Sequence, residues 1–365
     1  MEIKYLDLQA QYKSIKHDID EEIHKILDSS SYVLGKAVAD FESSYAIYCQ
    51  SKYCIGVNNG TNALLLALKA LDVGPGDEVV TSANTFIATI SAIVQSGARP
   101  ILVDVDPISR NIDPQLLKMA ISPRTKVIIP VHLYGRVADM DPILKIAEEH
   151  NIKILEDSCQ SHGANYKGKR AGSFGHVSAF SFYPGKNLGA YGEAGAIVTN
   201  DEKLDREIRK LRDHGSEKKY YHDVIGYNAR MEGLQGAVLG VKLRHLDLWN
   251  SERKRVAKLY NSLLKNVKTP QMHPDYKQVF HLYVIETDKR DTLMKYLKDE
   301  HKIVTLIHYP IPNHLQKALD YLGYKKGDFP VTEQLAEQIL SLPIYPEMPD
   351  EHVEFVAEKI NEFYQ

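Results

Sequence analysis

Lys186 lies in Ser181-Phe182-Tyr183-Pro184-Gly185-Lys186-Asn187-Leu188-Gly189-Ala190, a glycine-containing turn that follows a β-rich run. A loop lysine taken alone is most often solvated surface, because a flexible ammonium gains most from water. This one has Ser181 shortly before it and the acidic pair Glu156-Asp157 upstream. Together these residues suit covalent chemistry. An amine condenses with an aldehyde, hydroxyl and backbone donors hold an anion, and a carboxylate pairs with a protonated ring nitrogen.

Other segments offer anion and ring contacts. In Val57-Asn58-Asn59-Gly60-Thr61-Asn62-Ala63 a strand hands over to an apolar helix. Gly60 permits a tight turn, Thr61 and Asn62 are suitable caps, and the free amides of a helix start attract an anion. Plain helix capping accounts for the same residues. Glu156-Asp157-Ser158-Cys159-Gln160-Ser161-His162-Gly163 follows an apolar strand, at the end where open α/β sheets bind ligands. A loop-stabilising role explains carboxylates there equally well. Phe86, after Ser82-Ala83-Asn84-Thr85, has the shape to stack on a planar ring or to fill the core.

The elements that must carry these residues alternate. Strands are expected at 54–57, 78–80, 100–105, 126–133, 152–155, 176–182 and 196–199, and helices at 61–71, 86–95 and 141–150. Such β-then-α units predict an α/β fold whose mainly parallel sheet is covered on both faces. Beyond Asp201 the pattern changes. Long helices are expected at 201–213 and 231–264, strands at 279–286 and 304–308, and helices at 291–300 and from Thr332 onward. The division predicted is a large domain over 1–245 and a small α+β domain over 246–365.

Composition excludes several classes. The 365 residues allow about two domains, and 45 Lys+Arg against 48 Asp+Glu leave a net charge of −3. The basic residues are scattered, so neither nucleic acid nor an anionic membrane surface is an expected partner. Cys49, Cys54 and Cys159 form no paired framework, and the 15 histidines show no metal-ligand spacing, so no metal is expected. A signal core and membrane-length apolar runs are lacking, which predicts a reduced, cytoplasmic protein. The glycine fingerprint of a nicotinamide dehydrogenase is also missing.

Taken in order, four motifs resemble those of the DegT/DnrJ/EryC1/StrS family of pyridoxal-phosphate-dependent nucleotide-sugar aminotransferases. They are Asn59-Gly60-Thr61-Asn62-Ala63-Leu64, Glu156-Asp157 with Gln160, Ser181 through Gly189, and Gly226-Tyr227-Asn228-Ala229-Arg230-Met231. The resemblance runs from Leu6-Asp7-Leu8 to the final helix. It implies the type I aminotransferase fold, with a seven-stranded, mainly parallel sheet in the large domain. It implies that Lys186 binds pyridoxal 5'-phosphate covalently and later moves a proton. Asp157 is then expected at the ring nitrogen, Gln160 at the ring hydroxyl and Phe86 at the ring face. Gly60, Thr61 and Ser181 are expected around the phosphate, with Asn62 in the same cofactor-binding set. Asn228 would reach the phosphate from the neighbouring subunit of a homodimer, although a turn residue is the plainer account of it.

The resemblance also bears on substrate. Tyr183-Pro184-Gly185 and Ile307-His308-Tyr309-Pro310-Ile311-Pro312 look like members that aminate carbon 3 of dTDP-linked 6-deoxy-keto-hexoses. Members acting at carbon 4 more often place a histidine where Tyr183 stands. L-Glutamate is the implied donor and a dTDP-3-keto-6-deoxyhexose the implied acceptor. Tyr183, His308 and Tyr309, with Lys219 and Tyr221, are the residues expected on the hexose or its diphosphate. A strand end turning at two prolines and a solvated charged loop are the simpler explanations of the last four. Ser158-Cys159 departs from the family's small alanines and Ala194 from its second glycine, without removing a chemical group. Transamination at carbon 4, and a non-catalytic member that binds or regulates, stay open as alternatives.

Overall fold

The computed structural model describes residues 2–365. Seven short strands, mostly buried, make the central sheet: β1 (Tyr53–Val57), β2 (Glu78–Ser82), β3 (Arg99–Val103), β4 (Thr125–Ile129), β5 (Lys153–Asp157), β6 (Val177–Ser181) and β7 (Gly195–Thr199). They hydrogen-bond in the order β1-β7-β6-β5-β4-β2-β3. β7 runs antiparallel to both its neighbours, and every other pairing is parallel. Parallel strands need crossovers, and helices supply them.

Three helices precede the sheet: α1 (Leu8–Ser14), α2 (Lys16–Ser29) and α3 (Lys36–Tyr48). Within it come α4 (Gly60–Ala70), α5 (Ile87–Ser96), α6 (Pro114–Ala120) and α7 (Met140–Glu149), then α8 (Glu202–Arg212). Alternation along each strand sorts the core into two layers. Val79, Val127, Leu155 and Ile197 pack with α4, α5 and α8. Val80, Ile128 and Ile154 face the other way onto α6 and α7, and Val198 onto α3. Leu64 through Leu68 are each at most 4% exposed. A helix apolar all round belongs in such a position, between sheet and neighbouring helices.

The rest of the chain builds a second core. After α9 (Gly233–Leu243) and α10 (Leu246–Leu263), β8 (Tyr283–Glu286) pairs antiparallel with β9 (Ile339–Leu342). Around this pair lie α10, α11 (Arg290–Asp299) and α13 (Asp350–Phe363), meeting through Val256, Tyr260, Leu293, Leu297 and Val356. α12 (Pro330–Gln338) leads directly into β9. Ile3, from the opposite end of the chain, is buried in the same core.

Several expected elements change. The strand expected over 126–133 stops at Ile129, because Pro130 follows, and Leu133 enters a short 3₁₀ turn. The single helix expected over 231–264 is two, broken at Arg244-His245. The break places Leu246 against the Phe180–Phe182 cluster and Trp249 against α2 and α9. The strand expected at 304–308 makes only isolated bridges, Ile303 with Ile3 and Leu306 with Ser341. The helix expected from Thr332 is interrupted by β9, a four-residue apolar run that periodicity cannot separate from a buried helix.

The start of α4 is wedged against the sheet. A Cβ on Gly195 would lie 2.5 Å from the Asn59 carbonyl carbon and 2.9 Å from the Gly60 nitrogen. Backbone cannot move aside as a flexible side chain can. Gly195→Ala is therefore expected to destabilise the protein by about 1–3 kcal/mol, read as a lowered urea midpoint with an unchanged slope.

Candidate active site

Three sheet and helix ends meet at one cavity of about 560 Å³. The alternation of β5 divides the acidic pair. Glu156 turns into the protein, where its carboxylate accepts from the backbone nitrogens of Gly172, Phe174 and Gly175, each at 2.8 Å, and faces His132 Nε2 at 3.0 Å. It anchors a loop. Asp157 turns into the cavity, where Oδ2 accepts from Thr89 Oγ1 at 2.7 Å and Oδ1 from the Cys159 nitrogen at 3.2 Å. Thr85 Oγ1 lies 2.8 Å from Thr89 Oγ1, so the carboxylate is oriented by a hydroxyl that is itself held.

The turn after β6 presents Lys186 to the same cavity. Its backbone nitrogen donates to the Tyr183 carbonyl at 2.8 Å, and the Ala190 nitrogen closes the turn on the Phe182 carbonyl at 2.8 Å. Loss of water pushes the Lys186 amine below the ordinary lysine pKa, while Cys159 and the Asp157 charge pull it upward. Among the described residues none accepts a hydrogen bond from Nζ.

The helix start supplies the third wall. Asn59 is the N-cap of α4, its Oδ1 accepting from the Asn62 nitrogen at 2.8 Å. This corrects the expectation that Thr61 and Asn62 cap the helix. Asn62 donates its side-chain amide to Asn58 Oδ1 at 2.8 Å and is absent from the cavity wall, whereas Gly60, Thr61 and Ser181 line it. A Cβ on Gly60 would meet the Ser181 Cβ at 2.6 Å, so glycine lets the helix start approach the strand end.

Ring and polar contacts close the remaining sides. Gln160 Oε1 accepts from the Tyr134 nitrogen at 2.8 Å, and its Nε2 donates to the Tyr309 hydroxyl at 3.2 Å. Phe86 lies 5.4 Å from the Tyr309 ring and is 51% exposed, so the structure presents it to the cavity rather than to the core. Tyr183 and His308 also line the cavity, and His308 Nδ1 lies 2.8 Å from Ser341 Oγ. Three of the expected contacts are elsewhere. Lys219 stands over the Tyr220 ring at 5.2 Å, Tyr221 is 63% exposed, and Asn228 Oδ1 accepts from Arg230 Nη2 at 2.9 Å; none lines the cavity of this chain.

The comparisons with known proteins agree with this geometry. A model of the DegT/DnrJ/EryC1/StrS aminotransferase family matches residues 13–361. The chain belongs to that family. It is 45% identical, over all of this chain and 99% of the other, to a pleiotropic regulatory protein of Geobacillus stearothermophilus. It is also 45% identical, over 99% of each chain, to dTDP-3-amino-3,6-dideoxy-alpha-D-galactopyranose transaminase of Aneurinibacillus thermoaerophilus. Its fold is similar to that of S. venezuelae DesV, solved in complex with a ketimine intermediate. The TM-score there is 0.97 at 42% identity, covering 100% of this chain and 99% of that one.

This DegT/DnrJ/EryC1/StrS aminotransferase has the α/β fold of the pyridoxal-phosphate-dependent enzymes, and its family depends on that cofactor. The cavity's donor set fits the group. Lys186 is an unpartnered amine that would meet the aldehyde, and Asp157 a carboxylate held in place that would face the ring nitrogen. Gly60, Thr61 and Ser181 offer backbone and hydroxyl donors to a phosphate at the positive end of α4.

Residues that carried no sequence signal also line the cavity: Tyr5, Thr89, Glu193, Arg253 and His281. Thr89 lies inside an apolar helix and His281 just before β8, so only the fold brings them to Lys186. The histidines here are held neutral. Burial, with the Lys186 charge, pushes His308 down to about 4 and His162 to about 3, and takes His281 well below the usual value. Both ring nitrogens of His162 are buried without a partner, between Phe180 and Phe182 at 5.5 Å each.

A depressed histidine pKa means that the unfolded chain binds protons first as pH falls. Stability is then lost from the unfolded value of 6.5 down through the folded value of about 3. The melting temperature is expected to fall steadily over that range. His162→Leu, which removes one such proton, should flatten the slope of melting temperature against pH. An unchanged slope would show that His162 is not among the groups responsible.

Proposed function

We propose that this enzyme transfers an amino group from L-glutamate to carbon 3 of a dTDP-linked 3-keto-6-deoxyhexose, of gluco or galacto configuration. The observation that carries the reading is Lys186 and Asp157 in one cavity of a chain that matches a dTDP-3-amino-3,6-dideoxygalactopyranose transaminase end to end. Pyridoxal phosphate, when bound, supplies the aldehyde that takes the amino group and the ring that draws electrons from the reacting carbon. Lys186 Nζ takes the proton from the α-carbon of the amino donor. In the second half of the cycle it gives one to carbon 3 of the acceptor. Its lowered pKa favours the basic form that the first of these transfers needs. Asp157, held by Thr89, keeps its carboxylate at one fixed point through both.

Tyr183, His308 and Tyr309 are the side chains at hand for the hexose. With tyrosine at 183, the cavity resembles the family's carbon-3 members. The decisive measurement is the cofactor's absorbance in the purified protein. L-Glutamate should bleach it, and a dTDP-3-keto sugar, but not its 4-keto isomer, should restore it. Recovery with the 4-keto sugar alone would move the reaction to carbon 4. Lys186→Ala should lose turnover by about a thousandfold or more, and normal turnover by that variant would remove Lys186 from the chemistry.

A second reading has its own observation, the 45% identity to a pleiotropic regulatory protein. A regulator that binds the same molecules would give no second half-reaction, so the same titration separates the two.

The active form in this proposal is a cytoplasmic homodimer with shared sites. Three free cysteines, two of them buried, suit a reducing compartment, and no helix among the described residues is long and apolar enough to cross a membrane. What supports the dimer is the loop that holds Lys219 and Tyr221. Tyr220 is 80% exposed and Ile225 94%, an apolar surface that a second copy would cover. Lys219, Tyr221 and Asn228 would then face the partner's cavity. Sedimentation should give a dimer, and Ile225→Asp should shift it toward monomer; a wild-type monomer would overturn the shared-site proposal.

A further inference from the structure

His308 and Tyr309 reach the cavity from the stretch of chain between α11 and α12. Past Leu306, which bridges to Ser341, residues 307–312 belong to no helix or strand and are half-buried or exposed. A wall built from such a segment keeps its shape only where side chains tie it down. One tie is at His308, whose carbonyl accepts from the Tyr134 hydroxyl and whose Nδ1 lies 2.8 Å from Ser341 Oγ.

The other tie is Asn313. This residue is 4% exposed, and its Nδ2 donates to the Ala83 carbonyl at 3.0 Å and to the Thr85 carbonyl at 2.6 Å. Both partners are acceptors, so only the nitrogen of the amide fits between them, with both its hydrogens in use. Ala83 and Thr85 fall between the end of β2 and the start of α5, and Phe86, the N-cap of α5, follows directly. Tyr309 stands four positions before Asn313, and its ring lies 5.4 Å from that of Phe86. One amide thus joins the two segments whose rings meet at the cavity.

The two segments are not equally free to move. α5 is packed into the core through Ile90 and Ile93, and the Thr85 hydroxyl belongs to the chain that ends on Asp157. The 307–312 segment has no regular hydrogen bonding of its own. What Asn313 fixes is therefore the place of Tyr309 relative to Phe86 and Asp157. We propose that Asn313 is a positioning residue for the sugar half-reaction, holding the His308-Tyr309 wall where the hexose must rest to face Lys186. This rests on the transaminase reading of the cavity, with the sugar against His308 and Tyr309, though not on which sugar carbon is aminated. The amino donor is the smaller substrate and makes less use of that wall.

The test follows the two half-reactions separately in the holoenzyme by stopped-flow absorbance, with L-glutamate and then the dTDP-3-keto and dTDP-4-keto sugars. Asn313→Leu and Asn313→Asp keep the bulk of the side chain and remove its donors. In both, the sugar half-reaction should lose about ten- to a hundredfold in efficiency, mainly as weaker sugar binding, while the glutamate half-reaction changes far less. Asp turns oxygens toward both carbonyls and should be the worse of the two. Asn313→Ser, small enough to admit a water between the carbonyls, should recover part of the loss, and it carries the test if the other two do not fold. In the apoprotein of each folded variant, hydrogen exchange should quicken over 305–316 and stay unchanged elsewhere. Equal losses in both half-reactions, Asp tolerated better than Leu, or unchanged exchange over 305–316 would overturn the proposal. A wild-type enzyme whose absorbance neither sugar restores would overturn the transaminase reading itself, and this inference with it.

Discussion

An amine and a carboxylate taken out of water in one cavity set the terms for the rest of this structure. Desolvated charges cost several kcal/mol each unless other groups compensate them. Asp157 is compensated, by the Thr89 hydroxyl and the Cys159 amide. Lys186 has no hydrogen-bond partner among the described residues, and burial lowers its pKa although Cys159 and the Asp157 charge oppose the shift. The pair therefore combines a carboxylate fixed in place with an amine more easily deprotonated than an ordinary lysine. Strand alternation makes this possible from two adjacent acidic residues. Glu156, on the opposite face, uses its charge on three loop amides and leaves Asp157 as the sole carboxylate of the pair in the cavity.

Holding the amine in place falls to groups far away in sequence. The turn that bears Lys186 is tight enough that a Cβ on Gly189 would lie 2.3 Å from the Pro184 oxygen. Its outer edge is tied down by Lys242 Nζ, which donates to the Gly189 carbonyl at 2.5 Å. Asn187 donates to Asn250 Oδ1 at 2.8 Å and to the Val279 carbonyl at 2.9 Å, while Asn250 donates to the His162 carbonyl at 2.8 Å. Asn250 and Arg253 sit three positions apart on α10 and so share a face of the helix. One rigid element thus ties the turn that bears Lys186 to Arg253 on the cavity wall. The break at Arg244-His245 gives that helix its own direction, independent of α9.

Much of the frame was legible in the sequence, and for local reasons. The strands around Asp157 and Lys186 are short apolar runs bounded by turns, and the helix expected over 201–213 runs from Glu202 to Arg212. Gly60, Thr61 and Phe86 were visible because each lies next to a strand end or helix start, whereas Gln160 and Tyr183 were expected only through the motifs of the resemblance. What escaped depended on distant partners. Nothing near Arg244 breaks a helix, so the bend there comes from packing Leu246 and Trp249. Asn62 was expected as a cap and in the cofactor-binding set, but it is consumed by the capping network of Asn58 and Asn59. Thr89 reads as one more helix residue, and Arg253 as one of several basic residues in Glu252-Arg253-Lys254-Arg255. Only burial distinguishes it, since Arg255 on the same helix reaches Glu252 and the solvent side.

The placement of charge explains why histidines surround the site without adding to it. In a cavity of low dielectric each extra cation would hold an anionic substrate more tightly in both halves of the cycle. A ping-pong enzyme must release its first product before the second substrate enters, so uniform tightening slows the exchange without lowering the chemical barrier. His281 and His308 supply hydrogen-bonding groups near Lys186 while burial keeps them uncharged. The fixed charges are then divided by place. The carboxylates of the wall are Asp157 and Glu193, the start of α4 turns its positive end toward the cavity, and Arg253 is the one guanidinium among the described residues that line it.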